Sequence, residues 1–166
     1  MQSKINASVC FLINNDDEVL LTLTHDRPGK TTWSGIVSSE ANEPSGSQQM
    51  LKNIYKYTKI NVYEDDLEQR GVVHYFIVDP HDRLTEVLTL TLLVCQSWRG
   101  DLTNATGTRP TWFPFDKIPY PDMFEDYKIW LPKLLDNNKM LIEVYSKINP
   151  VTHSETIQDV QIKDIL

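Results

Sequence analysis

The run from Glu86 to Trp98 constrains this fold more than any other part of the sequence. Leu88, Leu90, Leu92 and Val94 alternate with Thr89, Thr91 and Leu93. That is the two-residue period of a strand. Ala7 to Ile13 (ASVCFLI) reads as a buried strand, and Val19 to Thr24 (VLLTLT) returns after the turn cluster Asn14-Asn15-Asp16-Asp17, which predicts a hairpin. His25 to Thr32 reads as a loop carrying Pro28 and Gly29, and Trp33 to Val37 as a short apolar segment. Arg70 to Val78 and Thr111 to Phe115 are further strands, and Met140 to Lys147 and Thr156 to Ile165 form a final pair.

Two helices interrupt the strands. Ser45 with Gln48 fits a capping box, and Met50, Leu51, Ile54 and Tyr55 share one face of a helix running to about Thr58. Asp122 to about Asp136 reads as a second helix, with Phe124, Ile129, Trp130, Leu134 and Leu135 apolar. Pro132 inside it is expected to start a turn or a kink. The order predicts an α+β class, with helices packed on a mixed sheet. Neither a repeat nor a linker divides residues 1–166, so the expectation is a single domain.

Composition narrows the function classes. The 166 residues carry a net charge of −7, against a broad grip on nucleic acid, which needs clustered Lys and Arg. A locally positive pocket for a small anion is compatible with an acidic protein. Cys10 and Cys95 both fall in apolar, strand-like runs and are expected to be buried, reduced thiols. No run of about 18 apolar residues could span a membrane, and no signal peptide opens the chain. The expectation is a cytoplasmic protein with no membrane partner, and the sequons at Asn6 and Asn104 are read as chance. His25, His74, His81 and His153 are scattered without metal-ligand spacing. Glu64-Asp65-Asp66-Leu67-Glu68 reads as a solvated acidic loop.

Several segments carry a resemblance. Thr32-Trp33-Ser34-Gly35, Arg109-Pro110-Thr111-Trp112-Phe113, Asp116 to Phe124 and Trp130-Leu131-Pro132-Lys133-Leu134-Leu135 resemble the oxidised-purine, MutT-like branch of the Nudix hydrolase family. The resemblance covers nearly the whole chain and is strongest from Arg109 to Leu135. It implies an α/β/α sandwich around a mixed sheet. It also implies a box, G-x5-E-x7-R-E-U-x-E-E-x-G-U with U aliphatic, whose glutamates bind the Mg²⁺ that activates water against a phosphoanhydride.

The twenty residues from Pro44 to Tyr63 contain no Asp and no Glu. Counting on from Trp33, Ser38 stands for the first glycine of the box and Pro44 for its first glutamate. Lys52 and Asn53 stand for Arg-Glu, Lys56 and Tyr57 for the two metal-binding glutamates, and Lys59 for the last glycine. Only Ile54 and Ile60 keep their aliphatic character. Mg²⁺ takes oxygen ligands, mainly carboxylates, water and phosphate. Thr106-Gly107-Thr108 also stand before Arg109-Pro110, where the family has a further acid.

By the same resemblance Ser34 takes the place of an Asn that reads the purine, and Asp126 and Tyr127 that of an Asp pair, with Trp33, Phe124 and Trp130 as aromatic walls. Each aromatic also has a plain reading as core, and Asp126 as a solvated helix carboxylate. Lys52 and Lys56 are candidates to meet phosphate. The leading expectation is a catalytically inactive Nudix-like protein, a pseudoenzyme with no catalytic residue, metal ligand or cofactor to name. It would bind a purine nucleotide, another small planar ligand or a protein partner at the old cleft. The alternative is a nucleoside triphosphate or diphosphate-X hydrolase of residual or metal-independent activity, with acids such as Glu40, Glu43 or Glu64; Mg²⁺ would enter only there. A third reading is a structural subunit of a larger assembly.

Overall fold

The computed structural model describes residues 3–27, 30–39, 46–102, 109–136, 140–151 and 154–164. Its larger sheet runs in the order β4 (Ile36–Ser39), β1 (Ser3–Leu12), β6 (Leu84–Cys95), β5 (Leu67–Val78), β8 (Met140–Asn149), β9 (Ser154–Asp164). β1 with β6 and β5 with β8 are parallel pairs; the remaining pairs are antiparallel. A smaller antiparallel sheet holds β3 (Lys30–Ser34), β2 (Glu18–Arg27) and β7 (Thr111–Pro114). Helices α1 (Gly46–Thr58) and α2 (Tyr127–Leu135) cover opposite faces of the larger sheet.

The period-2 geometry of β1 makes the layers. Val9 and Phe11 join a core with Trp130, Leu131 and Leu134 of α2, while Cys10 and Leu12 join one with Met50 and Ile54 of α1. Both cores are completed across the sheet, by Val73, Ile142 and Val144 on the α2 side and by Ile36, Ile60 and Cys95 on the α1 side. Cys10 and Cys95 are buried free thiols, and burial pushes the Cys95 thiol up to about 11. The architecture is the expected helix–sheet–helix sandwich of α+β class.

Four expectations need correction. β1 and β2 do not pair as a hairpin: beyond Ile13↔Val19 they part into different sheets, because both edges of β1 are taken by β4 and β6. The segment from His25 is largely strand, with β2 running on to Arg27 and β3 starting at Lys30. Thr24 Oγ1 donates to the Thr32 carbonyl across that pair at 2.9 Å. Trp33 to Val37 is split between two strands at Gly35, where a Cβ would stand 2.7 Å from the Cys10 carbonyl oxygen and 2.9 Å from Phe11 and Val9 side chains. Lastly, α2 begins at Tyr127 because Tyr120–Asp122 is a separate 3-10 turn. α2 then continues through Pro132 to Leu135, so Pro132 lies inside the helix and does not start a turn. The proposed cap at Ser45 lies outside the described residues.

Candidate functional site

A cavity of about 360 Å³ opens between the larger sheet and the segment leading into α2. That volume is within the range of about 300–1,000 Å³ common for small-molecule sites. Its floor is apolar, built from Ala7 of β1, Leu88 and Leu90 of β6, Ile77 of β5 and Ile148 of β8. Phe124 and Tyr127 close the α2 side, Val37 stands on the β4 side, and Thr24 and Ser34 come from the smaller sheet. Polar chemistry at the wall is therefore hydroxyl chemistry. Ser34 Oγ and Tyr127 Oη are 3.0 Å apart and hydrogen-bonded, and Tyr75 also lines the cavity.

Asp126 and Trp130 stand behind this wall rather than in it. Asp126 is fully buried. Its Oδ2 accepts from Tyr75 Oη at 2.5 Å and from Trp130 Nε1 at 2.8 Å. Its Oδ1 is buried and meets no ordinary donor; the Glu155 carboxyl shares a hydrogen bond with Asp126 when one of the two carries a proton. Burial raises the Asp126 carboxyl above its usual range, against the bonds from Trp130 and Tyr75 that pull it down. Glu155 lies near enough to feel that charge. Burial first, then Asp126, pushes Glu155 up to about 7, while Ser146 Oγ donates to it at 2.9 Å. Asp126 thus works as an internal acceptor that fixes Tyr75 and Trp130, because both donors would otherwise be buried unpaired.

The remaining aromatic candidate, Trp33, is half-buried and meets Phe113 edge to face at 4.9 Å. Lys52 and Lys56 are exposed on α1. Between them Asn53 donates from Nδ2 to the Val37 carbonyl at 3.1 Å and accepts from Gln49 Nε2 at 2.9 Å. Lys56 lies over the Tyr57 ring at 5.4 Å from its centroid. The structure therefore gathers Ser34, Phe124 and Tyr127 at the cavity. It sets Asp126 and Trp130 in the layer behind it, Trp33 to one side, and Lys52 and Lys56 across β4.

Sequence reasoning missed the apolar floor and Tyr75. Alternation in β6 placed Leu88 and Leu90 on one face, but only the late start of α2 leaves that face open to a cavity. The residues that the resemblance sets at the family's Mg²⁺ positions, Asn53, Lys56 and Tyr57, do not fit that ion. An ammonium, a phenol and an amide whose two ends are already bonded offer no carboxylate oxygen. Among the described residues no three His, Cys, Asp or Glu side chains stand close enough to share a metal ion; Glu40 and Glu43 lie outside them.

The residue after α1 keeps a backbone geometry that favours glycine. Lys59 adopts φ 64°, in the left-handed region, at the position the count from Trp33 assigns to the last glycine of the box. Its N–H closes the helix on the Tyr55 carbonyl at 2.8 Å, as in a C-terminal cap that normally uses glycine.

No family model matches the chain. It is 22% identical to the oxidized purine nucleoside triphosphate hydrolase of Danio rerio over 130 residues, 78% of this chain and 80% of that protein. It is 24% identical to the Mus musculus protein of the same name, over 77% of this chain and 78% of the other. The crystal structure of a MutT protein from Bacillus halodurans superposes with a TM-score of 0.74, at 16% identity over 95% of this chain and 97% of that one. Among the described residues no helix is long and apolar enough to cross a membrane. The placing of α1 against the mixed sheet, the sheet between two helices and the likeness to MutT agree: this chain has the Nudix fold, with its sequence similarity on the side of the oxidised-purine hydrolases.

Proposed function

We propose that this protein takes the ring of a nucleotide-like ligand into the cavity between β6 and the Phe124–Tyr127 wall. The observation that carries the proposal is the joining of Ser34, Phe124 and Tyr127 around one open, apolar-floored space. An aromatic side wall favours stacking of a flat ring, and hydroxyls leave hydrogen bonding weaker and less directional than a carboxylate would.

Similarity to two named hydrolases over more than three quarters of the chain favours turnover over binding alone. We therefore put first a nucleoside phosphate hydrolase whose catalytic groups lie outside α1. The second reading, binding without turnover, rests on the absence of any carboxylate from Pro44 to Tyr63. A panel of ordinary and oxidised purine nucleoside triphosphates, incubated with Mg²⁺ or with a chelator, separates them. The hydrolase reading expects phosphate or pyrophosphate release above the protein-free rate. It also expects that release to vanish in Val37→Trp, which fills the mouth from a half-exposed position. Release that survives Val37→Trp comes from elsewhere and rules out this cavity. No release from any member, with the nucleotides still bound, leaves the binding reading in place.

A further inference from the structure

The cation pattern of α1 reverses the electrostatics of the family's metal helix. Between Pro44 and Tyr63 stand Lys52, Lys56 and Lys59 and no acid, in a chain of net charge −7. Lys52 and Lys56 are four apart, so they share one helix face. Lys56 stands about 60° and Lys52 about 100° around the helix from Asn53, in the same direction. Asn53 is the residue that ties α1 to the Val37 carbonyl, and Val37 lines the cavity mouth. β4 is an edge strand of the larger sheet, so the way from the cavity to the lysines crosses an open edge.

Among the described residues neither ammonium has an ion-pair partner, and Lys56 lies over the Tyr57 ring. The ion pairs among the described residues involve Arg70, His74, Arg83 and Lys147 and leave out Lys52 and Lys56. Like charges four apart weaken a helix. The C-terminal dipole offsets part of that cost for Lys56, which sits in the last turn, but not for Lys52. An anion laid between the two would relieve the repulsion.

We infer that the ligand's di- or triphosphate lies across the outer edge of β4 and is held directly by the Lys52 and Lys56 ammonium groups, with no divalent cation between. This rests on the nucleotide reading above and adds to it how the charged end is bound. Ammonium groups grip phosphate as point charges; by the family resemblance Lys56 stands where a metal-binding glutamate would be and Lys52 where the box has its arginine.

The test uses calorimetric titration of the full chain with inorganic tripolyphosphate and, separately, with adenosine and guanosine, all in EDTA. Tripolyphosphate is expected to bind in EDTA and to weaken with salt. It is expected to bind at least tenfold more weakly to Lys52→Gln/Lys56→Gln, whose helix content is checked by circular dichroism, while nucleoside binding is unchanged. Tripolyphosphate binding that requires Mg²⁺, or that is the same in the double variant, overturns the direct grip and leaves the ring cavity standing. Tripolyphosphate binding without any nucleoside binding sinks the ring cavity and keeps the anion site. Binding of neither ligand removes both.

Discussion

At the scale of single residues, Asp126 shows how a carboxylate close to a cavity can serve the interior instead. It stands beside the cavity wall but spends Oδ2 on Tyr75 and Trp130. Asp126→Ala is therefore expected to cost about 2–4 kcal/mol, since two buried donors lose their acceptor. Urea unfolding with an unchanged m-value would read it. A change within about 0.5 kcal/mol, the range of ordinary surface substitutions, would mean the carboxylate holds nothing inside. Its neighbour Glu155 gives a pH signature. The folded pKa of about 7 lies above the ordinary 4.5, so across that window the native state keeps a proton that the unfolded chain has released. Stability contributed by this group is present below pH 4.5 and lost as pH rises through 7. Glu155→Gln is expected to flatten the fall in stability over this window; an unchanged pH profile would mean that Glu155 titrates normally.

At the scale of elements, the end of α1 keeps the geometry of a glycine without the glycine. Lys59→Gly is expected to stabilise the protein by about 0.5–1 kcal/mol, because a left-handed residue with a Cβ is relieved. A raised urea midpoint checks this; a lowered one would show that the Lys59 ammonium over the Tyr55 ring at 4.8 Å matters more than backbone strain. Elements also mark where the sequence was legible. Strands announced themselves through alternation, since β5, β6, β8 and β9 each meet a core on at least one face. Pairing partners were not legible, because the Asn14–Asp17 turn looks the same whether the flanking strands stay together or part. The start of α2 was hidden by a segment from Asp122 whose apolar spacing suits a helix, while the 3-10 turn at Tyr120–Asp122 sets the backbone apart. Asp126 is buried just before that start, and the cavity lies over Leu88 and Leu90. Ser34, Phe124 and Tyr127 were legible only through family resemblance, as no local pattern distinguishes a cavity wall from a core.

At the scale of the whole molecule, a sandwich like that of MutT carries two lysines and no acid on α1. The two cores and the order of the larger sheet depend on apolar positions, which have kept their character through Ile54 and Ile60. Polar positions on the outer face of α1 bear no such packing constraint, so their charge is free to vary without loss of fold. The fold alone therefore does not fix what the outer face of α1 binds. The central claim is that the outer face of α1 receives the ligand's anion and not a divalent cation. It is tested most directly by titrating Mn²⁺ into the nucleotide-saturated protein and following free Mn²⁺ by electron paramagnetic resonance. Mn²⁺ uptake equal to that of the nucleotide alone is the expected result. An additional stoichiometric Mn²⁺ site that disappears in Asn53→Ala or Tyr57→Phe would contradict the account.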